Sequence, residues 1–387
     1  MFKFMGYEQP DGAVGIRNHV VLIPTVGCVN GTIHKIAGKV PGVVPFYQNH
    51  GCARMGEDLI THMRVLVNLC KNPNIASVLV ISLGCEFIKG KEFSEAVAAS
   101  GKPVEHLCVQ TDGGTVKVAE KGIAIAQKML KDAAGRIKKE FGPDKIVLGL
   151  ECGGSDALSG VTANPAVGLA SDWLVKAGGT AILSEVTEMI GTAHILKKRG
   201  ITPEIGQQVE DLINAQEEKN KRILGDQISV ATISPGNMEG GMSTIREKSL
   251  GCICKGGSSL ITEVVPYGAI PNNKGLIIMD GPGFDLESLT GLAASGSNIM
   301  IFTTGRGSPA GFPVVPVIKV ATNSITYNAM PDDMDINAGK MLEGLSLNEL
   351  GNDVIDLTKR VIYGEKTKAE LNQFDSSLAI YCEHAAF

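Results

Sequence analysis

The 387-residue sequence predicts an α/β protein of two domains, each with a largely parallel, Rossmann-like sheet flanked by helices. Two observations predict this class: short apolar, β-branched runs alternate with longer helix-like segments, and glycines cluster directly after many of these runs. The predicted strands are residues 19–24, 77–82, 145–150, 180–183, 276–280, 299–303 and 314–320. The predicted helices include residues 57–70, 116–141, 166–176 and 204–224.

The length of the chain predicts two domains, because single hydrophobic cores stop growing at about 250–300 residues. A polar segment at residues 131–144 precedes a predicted strand, so we place the junction there, with domains at residues 1–138 and 139–387. A charged stretch at residues 197–226 is typical of a solvated helix. Open parallel sheets bind ligands beyond the carboxyl ends of their strands, so we expect the functional site in the glycine-rich turns there.

The composition indicates small-molecule chemistry. A formal net charge of −5, with both signs interspersed, gives no basic surface for nucleic acid or an anionic membrane. The first residues lack the pattern of a signal peptide, and the apolar runs are too short to cross a bilayer, so we expect a cytoplasmic protein. Nine cysteines scattered through a long chain favour reduced thiols over a disulfide framework.

Four cysteines lie in turns that bring together residues with metal-binding chemistry. Cys52 lies in HGCARMGED, Cys85 in LGCE, Cys152 in GLECGGSDALSG and Cys28 in TVGCVNG. Thiolates converging from separate turns are suitable ligands for a divalent transition metal, although their spacing is not that of a zinc finger. The alternative for any single cysteine is a small buried apolar residue.

Carboxylates and anion-binding groups follow several of the predicted strands. Glu86, Glu151 and Glu185 would lie at the rim of a cleft, where partial burial raises the pKa of a general base, and Asp156 is a similar candidate. Each of them also has the alternative role of capping the following helix. The candidates for substrate binding are Arg17, Asn18, Ser155, Ser234, Asn237 and Arg306, and Lys248 is a candidate catalytic residue. No phosphate-binding loop or GxSxG motif is present, and His50 is the histidine nearest to the other candidates.

Motifs spread in order along almost the whole chain resemble the large subunits of the altronate and galactarate dehydratase family. They are GYEQPDGAVGIRN, TVGCVNG, LGCE, GLECGGSDALSGVTANP, SPGNMEGG, EKSLGC, and TTGRG followed by IKVATNS. The resemblance implies a cytoplasmic lyase that dehydrates a sugar acid to a 2-keto-3-deoxy acid, with Fe2+ as the usual activating metal. It also implies an oligomer and a separate small subunit with a SAF-type domain, because the chain begins close to the GYEQPDG motif. His50 departs from the aromatic residue expected at its position, so no role is transferred to it.

From the residues and the resemblance together we expect iron to be held by Cys85 and Cys152, with Cys52 and Cys28. Glu151 or Lys248 would act as the base, and Glu86 or Asp156 would assist the leaving hydroxyl. Arg17, Asn237 and Arg306 would orient the substrate. Two alternatives to Fe2+ stay open at this stage, an iron–sulfur cluster held by three cysteines and another divalent metal such as Mn2+. Two alternative functions also stay open, a (2R)-sulfolactate sulfo-lyase large subunit and a non-catalytic sugar-acid-binding subunit.

Overall fold

The computed structural model describes residues 2–228, 232–373 and 377–384. Its strands are β1 Phe4–Glu8, β2 Val14–Gly15, β3 His19–Pro24, β4 Val43–Pro45, β5 Tyr47–Gln48, β6 Ile75–Ser82, β7 Val104–Cys108, β8 Lys139–Phe141, β9 Val147–Cys152, β10 Thr180–Leu183, β11 Ile261–Val265, β12 Gly275–Met279, β13 Ile299–Thr304, β14 Val317–Ala321, β15 Ile336–Asn337 and β16 Ser377–Leu378. Its α-helices are α1 Asn30–Ala37, α2 Gly56–Lys71, α3 Gly90–Ala98, α4 Gly114–Ala134, α5 Ala163–Lys176, α6 Ala193–Leu196, α7 Pro203–Leu224, α8 Pro235–Glu239, α9 Ile245–Cys252, α10 Asp285–Ala294, α11 Ser324–Ala329, α12 Leu347–Tyr363 and α13 Lys368–Leu371.

The first half of the chain forms a four-stranded parallel sheet in the order β4-β3-β6-β7. Strand β6 is buried along its whole length, as expected for a strand covered on both faces. Its residues alternate between the two faces, because successive side chains of a strand point to opposite sides. Leu79 and Ile81 pack with helices α1 and α4, whereas Val78 and Val80 pack with α2 and α3.

The second half forms a seven-stranded sheet in the order β11-β12-β10-β9-β13-β14-β15, and every pairing in it is parallel. Helices α5 and α12 cover one face, where Leu148 and Leu150 of β9 are buried. Helix α12 begins with a capping box in which Ser346 and Glu349 satisfy each other's backbone N–H groups. Helix α10 covers the opposite face.

The two sheets share one core. Helices α2 and α10 pack against each other between the sheets, and the same apolar cluster contains Val80 of the first sheet and Phe302 of the second. The side chain of Asn74 joins the amino ends of the strands. It accepts from the N–H groups of Ile16 and Arg17 and donates to the carbonyls of Asn298 and Val314. The sheets are therefore fixed to each other by both packing and buried hydrogen bonds.

The last described residues return to the first half of the chain, where they form a separate two-stranded sheet. Strand β16 pairs in parallel with β5, and the backbone N–H groups of Glu383 and His384 donate to the carboxylate of Asp58. Arg54 donates to the carbonyl of His384 at 2.6 Å. This tail holds the carboxyl sides of the two halves together.

The structure confirms the predicted α/β class with parallel sheets flanked by helices. The predicted helix 116–141 was too long. Helix α4 ends at Ala134, before Gly135, and Lys139–Phe141 instead forms β8, which pairs with β1. Within the described residues, none of the helices is both long and apolar enough to traverse a bilayer.

Candidate functional site

A cluster of buried polar side chains lies at the carboxyl ends of β9 and β10. It consists of Cys152, Glu185, Glu188, Lys248, Cys252 and Lys255, and we call it the buried cluster. Cys152 ends β9. After β10, Glu185 directly precedes a short 3-10 turn at Val186–Met189, and Glu188 lies within that turn. Helix α9 carries Lys248 and Cys252 four residues apart, so both side chains lie on the same face of the helix.

The backbone around the cluster is bent to bring these groups together. Glu185 has φ +69°, a left-handed conformation that costs a residue with a Cβ on the order of 1 kcal/mol. Gly153 follows Cys152, and a Cβ at this position would lie 2.6 Å from the Phe302 ring and 3.0 Å from Asp285 Oδ2. The turn after β9 therefore needs glycine if Asp285 is to approach the cluster.

Four atoms in the cluster are arranged as a group of metal ligands. One ligand atom each from Cys152, Glu185, Glu188 and Cys252 lies within 4.8 Å of every other. The Cys152 Sγ lies 2.9 Å from Glu188 Oε2 and 3.6 Å from the Cys252 Sγ. Oε2 of Glu185 accepts from the Cys152 backbone N–H at 3.0 Å. All four residues are buried.

Two lysines neutralise part of the negative charge of these ligands. Lys255, which is fully buried, lies 2.8 Å from Glu185 Oε2, and Lys248 pairs with Glu188 Oε1. Burial lowers the pKa of Lys248, but attraction to Glu188 outweighs this and the net shift is upward, so the ammonium is protonated at neutral pH. Burial and repulsion from Glu188 raise the pKa of Glu185 to about 7.

The residues present fit a divalent transition metal. Two thiolates and two carboxylates are a suitable borderline-soft donor set. With both thiols ionised, four negative side chains face two ammonium groups, and one divalent ion neutralises the remaining charge. The Oε1 atom of Glu185 is buried without a hydrogen-bond partner in the described structure. An unsatisfied buried carboxylate oxygen is costly unless a cation or ligand meets it.

Two further acids lie next to the cluster. Glu151 is fully buried at the end of β9; its Oε2 accepts from the Ser288 hydroxyl, and its Oε1 has no partner in the described residues. Burial and repulsion from Glu185 raise the pKa of Glu151 well above its usual range, which favours the protonated carboxyl. Burial and repulsion from Glu188 raise the pKa of Asp285, at the start of α10, to about 6.

Four of the predicted substrate-binding residues lie around the turn after β9, namely Ser155, Ser234, Asn237 and Arg306. Gly154 packs against the side chain of Arg306, and the Asn237 side-chain oxygen accepts from the backbone N–H of Ser155 at 2.8 Å. Ser234 caps α8, the helix that carries Asn237. Arg306 is half exposed and pairs with Glu239 at 2.9 Å. The turn after β9 therefore connects the buried cluster to an exposed arginine.

Arg17 and Asn18 lie elsewhere. They directly precede β3, so they lie at the amino ends of the parallel strands. The turns of the candidate site follow the carboxyl ends of the strands. Arg17 binds both carboxylate oxygens of Glu370, at 2.7 and 2.9 Å, and Asn18 donates to the carbonyl of Ala133. These contacts use the side chains to join elements of the fold, so we give them no part in substrate binding.

Glu86 and Asp156 are also engaged in local structure. The Glu86 carboxylate accepts from the Thr25 hydroxyl and from the backbone N–H groups of Leu83 and Gly84. Asp156 accepts from side chains that include Thr322 and Asn323, both at 2.8 Å. Each acid holds turns together, and we therefore assign neither one a chemical step.

Only one of the four predicted cysteine ligands belongs to the buried cluster. Cys152 is in it, whereas Cys28, Cys52 and Cys85 are exposed at the carboxyl edge of the four-stranded sheet. The predicted site of four thiols therefore does not form, because the two edges belong to different sheets.

The sequence analysis missed Glu188, Cys252, Lys255 and Asp285. For Cys252 a signal was available: it lies four residues after Lys248 in the EKSLGC motif, which places both side chains on one face of a helix. Lys248 was predicted as catalytic, and the structure places it in the cluster.

Comparisons with known proteins add to this geometry. The family described as "D-galactarate dehydratase/Altronate hydrolase, second domain" matches residues 6–134, and "D-galactarate/Altronate dehydratase, C-terminal" matches residues 143–384. The chain is 37% identical over 390 residues to altronate dehydratase of Bacillus subtilis (strain 168), covering 98% of this chain and 77% of the relative. It is 35% identical over 386 residues to galactarate dehydratase (L-threo-forming) of Escherichia coli (strain K12), covering 94% of this chain and 73% of the relative.

A third relative has a different printed activity. The (2R)-sulfolactate sulfo-lyase subunit beta of Chromohalobacter salexigens is 31% identical over 369 residues, covering 95% of this chain and 94% of the relative.

The parallel α/β fold and these matches define the class of protein, an enzyme of the hydro-lyase type. The chain belongs to the D-galactarate/altronate dehydratase family, as its motifs predicted.

Proposed function

We propose that this protein dehydrates a sugar acid to a 2-keto-3-deoxy acid and requires a divalent metal, with Fe2+ as the first candidate and Mn2+ as the alternative. The observation that carries the proposal is the buried cluster. Four ligand atoms within 4.8 Å of one another, next to two lysines and two acids of raised pKa, provide the charges that this elimination needs. The family matches support the substrate class.

The metal would be held by Cys152, Glu185, Glu188 and Cys252. When bound, it would act as a Lewis acid on an oxygen of the substrate next to the carbon that loses its proton.

Proton removal from C2 is assigned to Asp285. Its pKa of about 6 leaves it largely ionised at neutral pH yet basic enough to accept a proton. It is only partly buried, so it is more accessible to a substrate than the buried ligands are. As the C2–H bond breaks, negative charge develops on the substrate carboxylate, and the Lys248 ammonium is placed to stabilise it.

Proton donation to the departing C3 hydroxyl is assigned to Glu151. Its raised pKa favours the protonated carboxyl, and its Oε1 atom, which has no partner in the described residues, can present that proton to the hydroxyl, which leaves as water. The resulting enol tautomerises: it gains a proton at C3, loses the proton of its C2 hydroxyl and becomes the 2-keto-3-deoxy acid. Lys248, which the sequence also offered as a base, holds its proton too tightly for that role.

Substrate orientation is assigned to Arg306, with Asn237, Ser155 and Ser234 shaping the turn beside it. A guanidinium binds a carboxylate through two parallel hydrogen bonds, and an aldaric acid carries a second carboxylate far from the reacting carbons. Arg306 is half exposed, and the side-chain partner that it has among the described residues is an exposed glutamate, so it is available to such a group.

A second candidate is the removal of sulfite from sulfolactate. The relative of that printed activity matches over 94% of its own length, and its elimination uses the same proton at C2 with a different leaving group at C3. That relative is named as a subunit, which supports our further proposal that a small SAF-type chain and oligomer formation complete the enzyme.

The test is a keto-acid assay on anaerobically purified protein, with altronate, galactarate and sulfolactate supplied separately and Fe2+ or Mn2+ added. We expect turnover of one of the sugar acids, and we expect Glu151→Gln, Asp285→Asn and Cys252→Ser each to lower kcat at least about 100-fold. Cys254→Ser is the matched control, because Cys254 lies two residues away and its thiol donates to a backbone carbonyl outside the cluster. Full activity in all three variants would contradict the assignment, and turnover of sulfolactate alone would select the second candidate.

A further inference from the structure

Three cysteines remain that the proposed dehydration does not use. Cysteine is among the most frequently buried residue types, yet Cys28, Cys52 and Cys85 are exposed. The other six cysteines of the chain are buried or partly buried. All three exposed thiols lie in turns at the carboxyl edge of the four-stranded sheet, and we call this group the three-thiol edge.

The turns that carry these thiols contact one another. The Gly27 N–H, next to Cys28, donates to the carbonyl of His50 at 2.8 Å. Gly51, next to Cys52, packs so tightly on the first turn that a Cβ would lie 2.0 Å from the Thr25 carbonyl oxygen. The three backbone segments therefore meet at one place, although they are far apart in the sequence.

Glu86 fixes the third turn to the first. Its carboxylate, which is buried, accepts from the Thr25 hydroxyl on one side and from the Leu83 and Gly84 N–H groups on the other. Gly84 has φ +125°, which few residues other than glycine adopt. Glu86 thus points inward and holds its turn, while Cys85 beside it points outward.

The spacing of the three thiols excludes a single ion as the turns stand. Two sulfurs on the same ion, each at about 2.3 Å from it, lie within about 4.6 Å of each other. Within the described chain, the buried cluster is the only group of three or more ligand atoms as close as 4.8 Å, and it contains none of these cysteines. An iron–sulfur cluster is several ångströms across and binds cysteines that are farther apart.

We propose that Cys28, Cys52 and Cys85 bind a cubane iron–sulfur cluster, separate from the buried cluster, through three of its four irons. Cys108, whose thiol donates to the carbonyl of Leu83 in the third turn at 3.3 Å, is partly buried, so we do not assign it as a fourth ligand. One iron is left without a cysteine. Met55 and Phe87, both exposed, provide apolar surface beside two of the thiols.

The experiment measures composition and spectra, so it needs no turnover. The full chain is reconstituted anaerobically with ferrous iron and sulfide, and iron, acid-labile sulfide and zinc are determined per chain. We expect about five irons, four in the cluster and one at the proposed dehydration site, and about four sulfides. We also expect a visible charge-transfer band and an electron paramagnetic resonance signal after reduction. Cys28→Ser, Cys52→Ser and Cys85→Ser should each remove most of the sulfide and the band. Because these side chains are exposed, the variants should keep the circular dichroism spectrum of the parent.

Matched controls separate this site from the buried cluster. Cys254→Ser and Cys108→Ser should retain the cluster, and Cys252→Ser should retain sulfide while it loses the metal of the proposed dehydration site. Iron or zinc without sulfide would overturn the proposal, as would a sulfide content unchanged in the triple variant of the three-thiol edge. A chain that holds the cluster but dehydrates no sugar acid would instead contradict the proposed function alone.

Discussion

Replacement of Lys255 by methionine tests the electrostatic description of the buried cluster. Lys255 and Glu185 are both fully buried, and the ammonium lies 2.8 Å from the carboxylate. Without the lysine, the Cys152 N–H remains as a donor to Glu185, while Glu188 repels it. Breaking a buried ion pair by removing one partner costs about 3–5 kcal/mol, so we expect Lys255→Met to lower the free energy of unfolding by about that amount.

A double-mutant cycle shows whether the loss arises from this pair. Glu185→Gln should also destabilise the protein, because it leaves a buried ammonium without its partner. The double variant should be more stable than the sum of the two losses predicts, by about 2 kcal/mol or more. Lys274→Met, which removes an exposed pair with Asp144, is the control and should cause no measurable change.

The assay is urea unfolding in a chelating buffer, followed by the fluorescence of Trp173, the single tryptophan of the chain. Urea is preferred because it does not screen charges, and equal m-values would show that the same surface unfolds in each variant. Strictly additive losses, or a Lys255→Met variant as stable as the parent, would refute the description of Lys255 as the charge partner of Glu185.

Three further predictions concern the scaffold. Gly51→Ala should destabilise the protein by about 2 kcal/mol or more, because φ is +102° and the new Cβ would clash with a carbonyl oxygen of the neighbouring turn. Gly12→Ala is the control: Gly12 also has a positive φ but lies in open space, so this change should cost only about 1 kcal/mol. Thermal melting of both variants measures the difference. Arg17→Gln should cost about 1.5–3 kcal/mol in urea unfolding, since a two-pronged, largely buried contact with a glutamate is lost, whereas Lys3→Gln removes an exposed pair and should have no measurable effect. Burial, with repulsion from nearby cations, lowers the pKa of His62 to about 3, against about 6.5 in the unfolded chain. Its neutral form therefore contributes stability above pH 6.5 that is lost as the pH falls toward 3, by about 2 kcal/mol at pH 5; a His62→Gln variant that lost as much stability between pH 7.5 and 5 as the parent would contradict this.

The fold was predictable because its signal is local. Each buried strand is a continuous apolar run, as in Ile75–Ser82, and each run is bounded by glycine or polar residues. The limits of the helices were less predictable. The segment after Ala134 continues a helix-like composition, but Lys139–Phe141 pairs with the first strand, and that contact depends on residues more than 130 positions away.

The site was predictable only in part. The sequence analysis named Cys152 and Glu151 because they follow the predicted strand at residues 145–150, and in the structure they are the last two residues of β9. Glu86 and Asp156 share this position, but they hold turns instead. A carboxylate at a strand end can accept hydrogen bonds from backbone N–H groups, or it can bind a metal or substrate. The local sequence does not distinguish these two roles.

The missed members of the cluster show the same limit. Cys252 meets Cys152 from a helix 100 positions later, and only the tertiary fold creates that contact. The sequence analysis also combined four thiols into one metal site, but the strands that precede Cys85 and carry Cys152 belong to separate sheets.

The Asn74 junction has a mechanical consequence. Its carboxamide fastens the amino ends of both sheets, so a relative rotation of the halves would pivot there and displace the opposite ends most. The buried cluster and the three-thiol edge, which lie at the carboxyl ends of the two sheets, would then move apart. The tail at residues 377–384, which is bound by Asp58 and Arg54, would limit this displacement.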